Sequence, residues 1–179
     1  MKFEAEHFNI KGLVLIKPKI FGDERGYFFE SYAKKDLEAA GIQCEFIQDN
    51  QAFSSKGVLR GLHYQKESYA QAKLVRVTQG SVFDVAVDIR RDSPTYGQYA
   101  TVVLSDTNHH IFFIPKGFAH GYLVLSDSAL FQYKCDAYYH PAAEGGIRYD
   151  DPSLSVPWPS LNTPYQVSAK DLALPLFNE

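Results

Sequence analysis

The sequence predicts an all-β fold, an antiparallel sandwich or barrel with a few short peripheral helices, and three observations carry that reading. From Lys73 onward the apolar pattern repeats every two residues. Strand-like runs recur at roughly ten-residue spacing with turn residues between them. Finally, 12 Tyr and 13 Phe among 179 residues is a heavy aromatic load, of the kind strands accommodate. The connections leave no room for the helical crossovers of a parallel sheet. A chain of this length fits one domain, residues 1–179, with a sizeable core.

Taken in order, residues 8–20 hold the strand-like run Leu13-Val14-Leu15-Ile16, closed by Lys17-Pro18. Residues 21–31 form a Gly-punctuated turn that exposes Arg25 and Glu30 and leads into an aromatic strand. Ala33 to Ala40, rich in Ala, Lys and Glu, reads as a short packing helix stopped by Gly41. Residues 82–90 place Phe83, Val85, Val87 and Ile89 on one face and Val82, Asp84, Ala86 and Asp88 on the other, which predicts a half-buried strand. The face with the two aspartates is either solvent or the polar lumen of a barrel. Tyr99 to Leu104, His110 to Ile114, Gly121 to Leu125 and Ala129 to Ala137 follow as strands. In the last, Ala129, Phe131, Tyr133 and Cys135 share a face, so Tyr133 points inward. Its bland role is a hydrogen-bonded core phenol. Residues 138–152 add Tyr138, Tyr139, His140 and Glu144 in a loop of the kind that carries binding groups on a rigid sheet. Ser168-Ala169-Lys170-Asp171 has the spacing of a capping box, which makes Asp171 a structural cap.

Charge and composition exclude several classes. Twenty-one acidic against 18 basic residues give a net charge of −3, and no basic block exceeds two residues. That argues against a nucleic-acid partner and favours a small anion wherever the fold gathers cations. The charged start, Met1 to His7, has no apolar core, and no run approaches spanning length, so the expectation is a cytoplasmic protein without a membrane partner. Cys44 and Cys135 are too few for a disulfide framework and read as reduced, packed thiols.

The chemistry concentrates at residues 57–65, Gly-Val-Leu-Arg-Gly-Leu-His-Tyr-Gln, with Lys73 heading the next strand. Four readings compete: a core histidine bonded to backbone, a metal ligand, a base in a metal-free barrel, and a binding pocket without chemistry. The spacing of Gly57, His63 and Gly80, and of Pro115, Gly117 and His120, is similar to the two cupin motifs. However, the place of the second metal-binding histidine holds Gln65, and no suitably spaced Glu follows. An amide is a poor ligand for a divalent transition metal, so no metal is expected.

Read together, residues 57–65, Gln48-Asp49-Asn50, Lys73, residues 114–121 (Ile-Pro-Lys-Gly-Phe-Ala-His-Gly), Tyr133 and residues 168–171 resemble the dTDP-4-dehydrorhamnose 3,5-epimerase family. The likeness runs from about residue 5 to about residue 175. It implies a cupin-type jelly-roll barrel and a homodimer in which the Arg25 region reaches the neighbouring subunit. The implied activity is conversion of dTDP-4-dehydro-6-deoxy-D-glucose to dTDP-4-dehydro-L-rhamnose, with no cofactor. A 4-keto sugar loses a proton from C3 or C5 to give an enolate, and inversion needs a proton returned to the opposite face. By resemblance, His63 is the base, Asp171 holds its other nitrogen, Lys73 stabilises the oxyanion and Tyr133 is the acid. Arg25, Arg60 and Lys170 face the diphosphate. Tyr139 stacks on thymine, while Glu30, Gln48, Asp49, Asn50, His120 and Glu144 supply polar contacts. Epimerases of one centre and 3,4-ketoisomerases are the neighbouring enzymatic readings. A non-catalytic sugar-nucleotide-binding barrel is the reading of another class.

Overall fold

The computed structural model describes residues 2–177. The single-domain reading of 1–179 therefore includes three positions, 1, 178 and 179, outside the described residues.

The first third of the chain forms β1 (Phe3–His7), β2 (Val14–Pro18), the hairpin β3 (Phe21–Asp23) and β4 (Gly26–Phe28), and α1 (Lys34–Ala39). Then come β5 (Gln48–Ser55), β6 (Val58–Gln65), β7 (Lys73–Gln79), β8 (Ser81–Asp88) and β9 (Tyr99–Ser105). The last third holds β10 (Ile111–Ile114), β11 (Phe118–Val124), β12 (Ser128–Cys135), β13 (Glu144–Gly146), β14 (Gln166–Val167) and α2 (Ala169–Leu172).

Two sheets face each other. One has the strand order β1-β2-β10-β7-β12-β5 and the other β13-β6-β11-β8-β9, with β14 added in parallel to β6. All other pairings are antiparallel and the sequence neighbours β7 and β8 lie in different sheets, as in a jelly roll. The space between the sheets is filled by Leu15, Val75, Val77, Val82, Leu104, Phe112, Tyr122 and Phe131, among others.

Both sheets are also covered outside, which overturns the half-buried expectation for 82–90. On β8, Val85 and Val87 pack under Ile147, Leu154 and Trp158 from the C-terminal segment. Val82 and Ala86 face the lumen, and Asp84 and Asp88 on that same side are fully buried. The aspartate face is thus interior, not solvent. Likewise Leu13 to Ile16 is buried on both sides, because Leu15 enters the lumen while Val14 and Ile16 meet Leu37 of α1. The helix has the expected packing role, and Gly41 beyond it takes φ +84°.

Asp88 satisfies its burial locally. Its carboxylate accepts from Arg90 Nε (2.8 Å), Ser93 Oγ (2.6 Å) and Thr95 Oγ1 (2.6 Å). This knot ties the β8–β9 connection to the barrel rim. Cys44 and Cys135 are free thiols, as expected, and burial pushes Cys135 up to about 11. Among the described residues no helix is long and apolar enough to cross a membrane.

Candidate functional site

β6 runs between β13 and β11 in its sheet, and a close approach to β11 shapes it there. A Cβ on Gly61 would fall 2.5 Å from the Cα of Gly121 on β11, so only glycine fits. The β6–β11 register shifts between His120 and Tyr122, placing His63 opposite His120 and Arg60 opposite Tyr122.

His63 pairs through Nε2 with Asp171 Oδ1 at 2.7 Å, across 108 residues of sequence. Asp171 is 4% exposed, and its second oxygen lies 3.4 Å from the Gly61 backbone nitrogen. The capping-box expectation is half right. Ser168 Oγ caps α2 by accepting from the Asp171 N–H at 3.0 Å, but the Asp171 carboxylate turns away from the helix start to the histidine.

Lys73 and Tyr133 come from the facing sheet, on the adjacent strands β7 and β12. The Lys73 ammonium sits 5.9 Å from the Tyr133 ring centroid, within cation–π range. No hydrogen bond or ion pair holds it among the described residues, and burial lowers its pKa from the ordinary 10.5. Burial also raises the Tyr133 pKa, so the phenol stays protonated well above neutrality. His63, Lys73 and Tyr133 line one cavity of about 210 Å³ together with Arg60, His120 and Tyr122.

The same three side chains open into a second chamber of about 270 Å³ toward Gln48, Asn50, Tyr139 and Glu144. There the Tyr139 hydroxyl donates to Glu144 Oε2 at 2.7 Å, and Lys170 Nζ donates to Glu144 Oε1 at 2.6 Å. The lysine is the main reason the Glu144 pKa falls. Gln48 Oε1 accepts from the Tyr139 backbone N–H at 3.2 Å and fixes the loop. A third opening, about 430 Å³, joins His63 to Arg60, Lys170 and Asp171.

Three expected residues stand elsewhere. On β5 the two-residue period sends Gln48 and Asn50 inward and Asp49 to the outer face, where it pairs with Lys134 at 2.7 Å, so Asp49 does not meet this cavity. Glu30 is bound to Lys2 beside α1. Arg25 lies at the tip of the β3–β4 hairpin, its side chain 85% exposed and, among the described residues, paired only with Asp23.

Two residues escaped the sequence reading. Asp84, fully buried, pairs both carboxylate oxygens with His120 Nε2 at 3.0 and 2.9 Å, forming a second histidine–carboxylate pair. Its signal was the ambiguous polar face of β8. The other is Tyr122, which reads as core within an apolar run.

No group of three or more His, Cys, Asp or Glu among the described residues converges as a metal site. Gln65, in the place of a cupin metal ligand, is buried and accepts from the His140 N–H at 2.9 Å.

The pattern of dTDP-4-dehydrorhamnose 3,5-epimerases matches residues 7–179. The chain belongs to this epimerase family. A dTDP-4-dehydrorhamnose 3,5-epimerase of Salmonella typhimurium is 49% identical over 171 residues, covering 95% of this chain and 93% of its own. Among solved structures, the Legionella pneumophila dTDP-6-deoxy-D-glucose-3,5-epimerase, in complex with dTDP-4-keto-L-rhamnose, is 53% identical with a TM-score of 0.94. The match covers 98% of this chain and 93% of that one. The Elizabethkingia anophelis dTDP-4-dehydrorhamnose 3,5-epimerase is 44% identical, with a TM-score of 0.93 over 99% and 97% of the two chains. The epimerase fold of these relatives is the jelly roll described above.

Proposed function

We propose that this epimerase inverts C3 and C5 of dTDP-4-dehydro-6-deoxy-D-glucose, giving dTDP-4-dehydro-L-rhamnose. The observation that carries the reading is the meeting of an imidazole, an ammonium and a phenol from two opposed sheets around one cavity. Proton abstraction next to a ketone needs those three groups and no redox step.

In this reading Asp171 holds Nε2–H of His63, which leaves Nδ1 as the basic atom. His63 takes the C3 or C5 proton, and the electron pair moves to the C4 oxygen beside Lys73. A site already holding a cation there stabilises the enolate without reorganising. Tyr133 delivers its proton to the same carbon from the opposite face, and solvent resets both residues. The raised phenol pKa keeps that proton available. Each centre is inverted by one such cycle.

The nucleotide occupies the second and third openings. Arg60 and Lys170 face the diphosphate, and Tyr139, steadied by Gln48 and Glu144, stacks on the base. His120, with Asp84 behind it, and Asn50 contact the sugar. One domain carries all of these groups. A second copy covers the β3–β4 hairpin and receives Arg25, a reading supported by the exposure of Phe21, Tyr27 and Phe28 beside it. Sedimentation at micromolar concentration yields a dimer, and a monomer removes Arg25 from the site.

NMR of dTDP-4-dehydro-6-deoxyglucose with the protein in D₂O tests the function. Deuterium enters at C3 and C5 if the reading holds. Binding of the nucleotide sugar with no exchange at either carbon leaves only a binding barrel.

A further inference from the structure

The sugar cavity has a polar group that the proposed chemistry does not use. Tyr122 lies on β11 one inward-facing step beyond His120, opposite Arg60 where His120 is opposite His63. Its ring stacks on Phe131 with centroids 4.1 Å apart and an interplanar angle of 12°. The residue is 5% exposed, and its hydroxyl oxygen is buried without a hydrogen-bond partner among the described residues. Ser54 and Arg60 lie beside it and pull its pKa down, against the larger upward push of burial. Both approach it as weak hydrogen-bonding neighbours, but neither reaches full hydrogen-bond geometry, so the oxygen is left without a close partner among the described residues. Arg60 Nε donates to Ser54 Oγ at 3.1 Å instead.

A buried hydroxyl left unsatisfied is costly, whereas phenylalanine would fill the same stacked slot without that cost. The phenol also borders the cavity that His63, Lys73 and Tyr133 line. Its position therefore makes sense once a ligand oxygen fills that cavity. The reacting carbons belong at the level of His63, and the anionic end belongs at Arg60. Tyr122 lies on the Arg60 side, so its acceptor is at the joint between these two parts of the ligand.

We propose that Tyr122 is a substrate-binding residue whose phenol donates a hydrogen bond to an oxygen at the sugar–diphosphate junction, either the C2 hydroxyl or the proximal phosphate. This rests on the function proposed above, because that reading sets which end of the cavity holds the phosphate.

The test is Tyr122→Phe, read by the melting temperature of the ligand-free protein and by calorimetric titration with dTDP and with dTDP-glucose, which has no ketone to react. The ligand-free variant melts at or above the wild-type temperature, because only an unpaired group has been removed. Its affinity for dTDP-glucose falls about tenfold, equivalent to about 1.4 kcal/mol. An equal loss for dTDP assigns the contact to the phosphate, and a loss confined to dTDP-glucose assigns it to the sugar hydroxyl. Both outcomes support the proposal. Unchanged affinity for both ligands overturns it, as does a lower melting temperature with unchanged affinity, the mark of a purely structural phenol. Failure of the epimerase reading looks different. Wild-type protein would then titrate with dTDP-glucose yet leave the 4-keto sugar free of deuterium.

Discussion

Replacing Lys73 by methionine separates the two consequences of a buried ammonium. The stem keeps an unbranched apolar shape, so packing against Tyr133 is largely retained while the charge is lost. In the ligand-free protein that charge is a burden, since burial holds its pKa below 10.5. Each unit of such a depression amounts to about 1.4 kcal/mol. The unfolded chain binds the proton more tightly, so the penalty is complete below the folded pKa and fades as pH rises toward 10.5. Lys73→Met removes it. At pH 7 the variant is the more stable protein and melts at a higher temperature than wild type. That advantage over wild type shrinks toward pH 10. Turnover moves the other way. Loss of one preorganised donor at a developing oxyanion costs about 3–4 kcal/mol, or roughly 10²–10³ in rate. Thermal melts across this pH range and deuterium wash-in followed by NMR give both numbers. A variant that is less stable at pH 7 and still exchanges at the wild-type rate refutes the reasoning.

His63→Ala abolishes deuterium wash-in at both C3 and C5 while calorimetric binding of dTDP is largely kept. Exchange that persists in this variant removes His63 as the base. Tyr133→Phe slows inversion at C5 more than at C3, and equal loss at the two centres in NMR time courses counts against the proposed acid. Asp88→Asn tests the rim. Burial alone would raise the Asp88 pKa, but the donors from Arg90, Ser93 and Thr95 hold it below its ordinary 3.8. Stability from such a group is present above the unfolded pKa and lost as pH falls. The variant therefore loses about 2–3 kcal/mol in urea unfolding at pH 7, moderated because Arg90 is 32% exposed, and the gap to wild type closes in acid.

The strands were legible wherever one local rule decided them. Tyr99 to Leu104 and Ala129 to Ala137 follow the two-residue period, and the observed strands Tyr99–Ser105 and Ser128–Cys135 differ only at their ends. Period alone could not say which face of β8 was wet. That depended on Ile147, Leu154 and Trp158, more than 50 residues downstream, covering the other side. Asp49 shows the same limit: alternation separates it from Gln48 and Asn50, but the direction of the lumen is a tertiary fact. Asp171 sits at a spacing that serves a cap as well as a catalytic partner. Only the approach of α2 to β6 decided between them, and Ser168 took the capping role alone. Tyr122 could not be told from a core aromatic, because its hydroxyl matters only through what is missing around it.

The proposed base stands on one sheet and the proposed acid on the other, so their separation is a thickness. Sheets of this kind stack about 10 Å apart, held there by the side chains between them. Phe112 and Phe131, which touch no proton in the reaction, thereby act as a calibrated shim between two jaws. Phe131, which lines the cavity with His63 and Tyr133, is the one whose trimming is expected to alter that gap as well as the packing of the core.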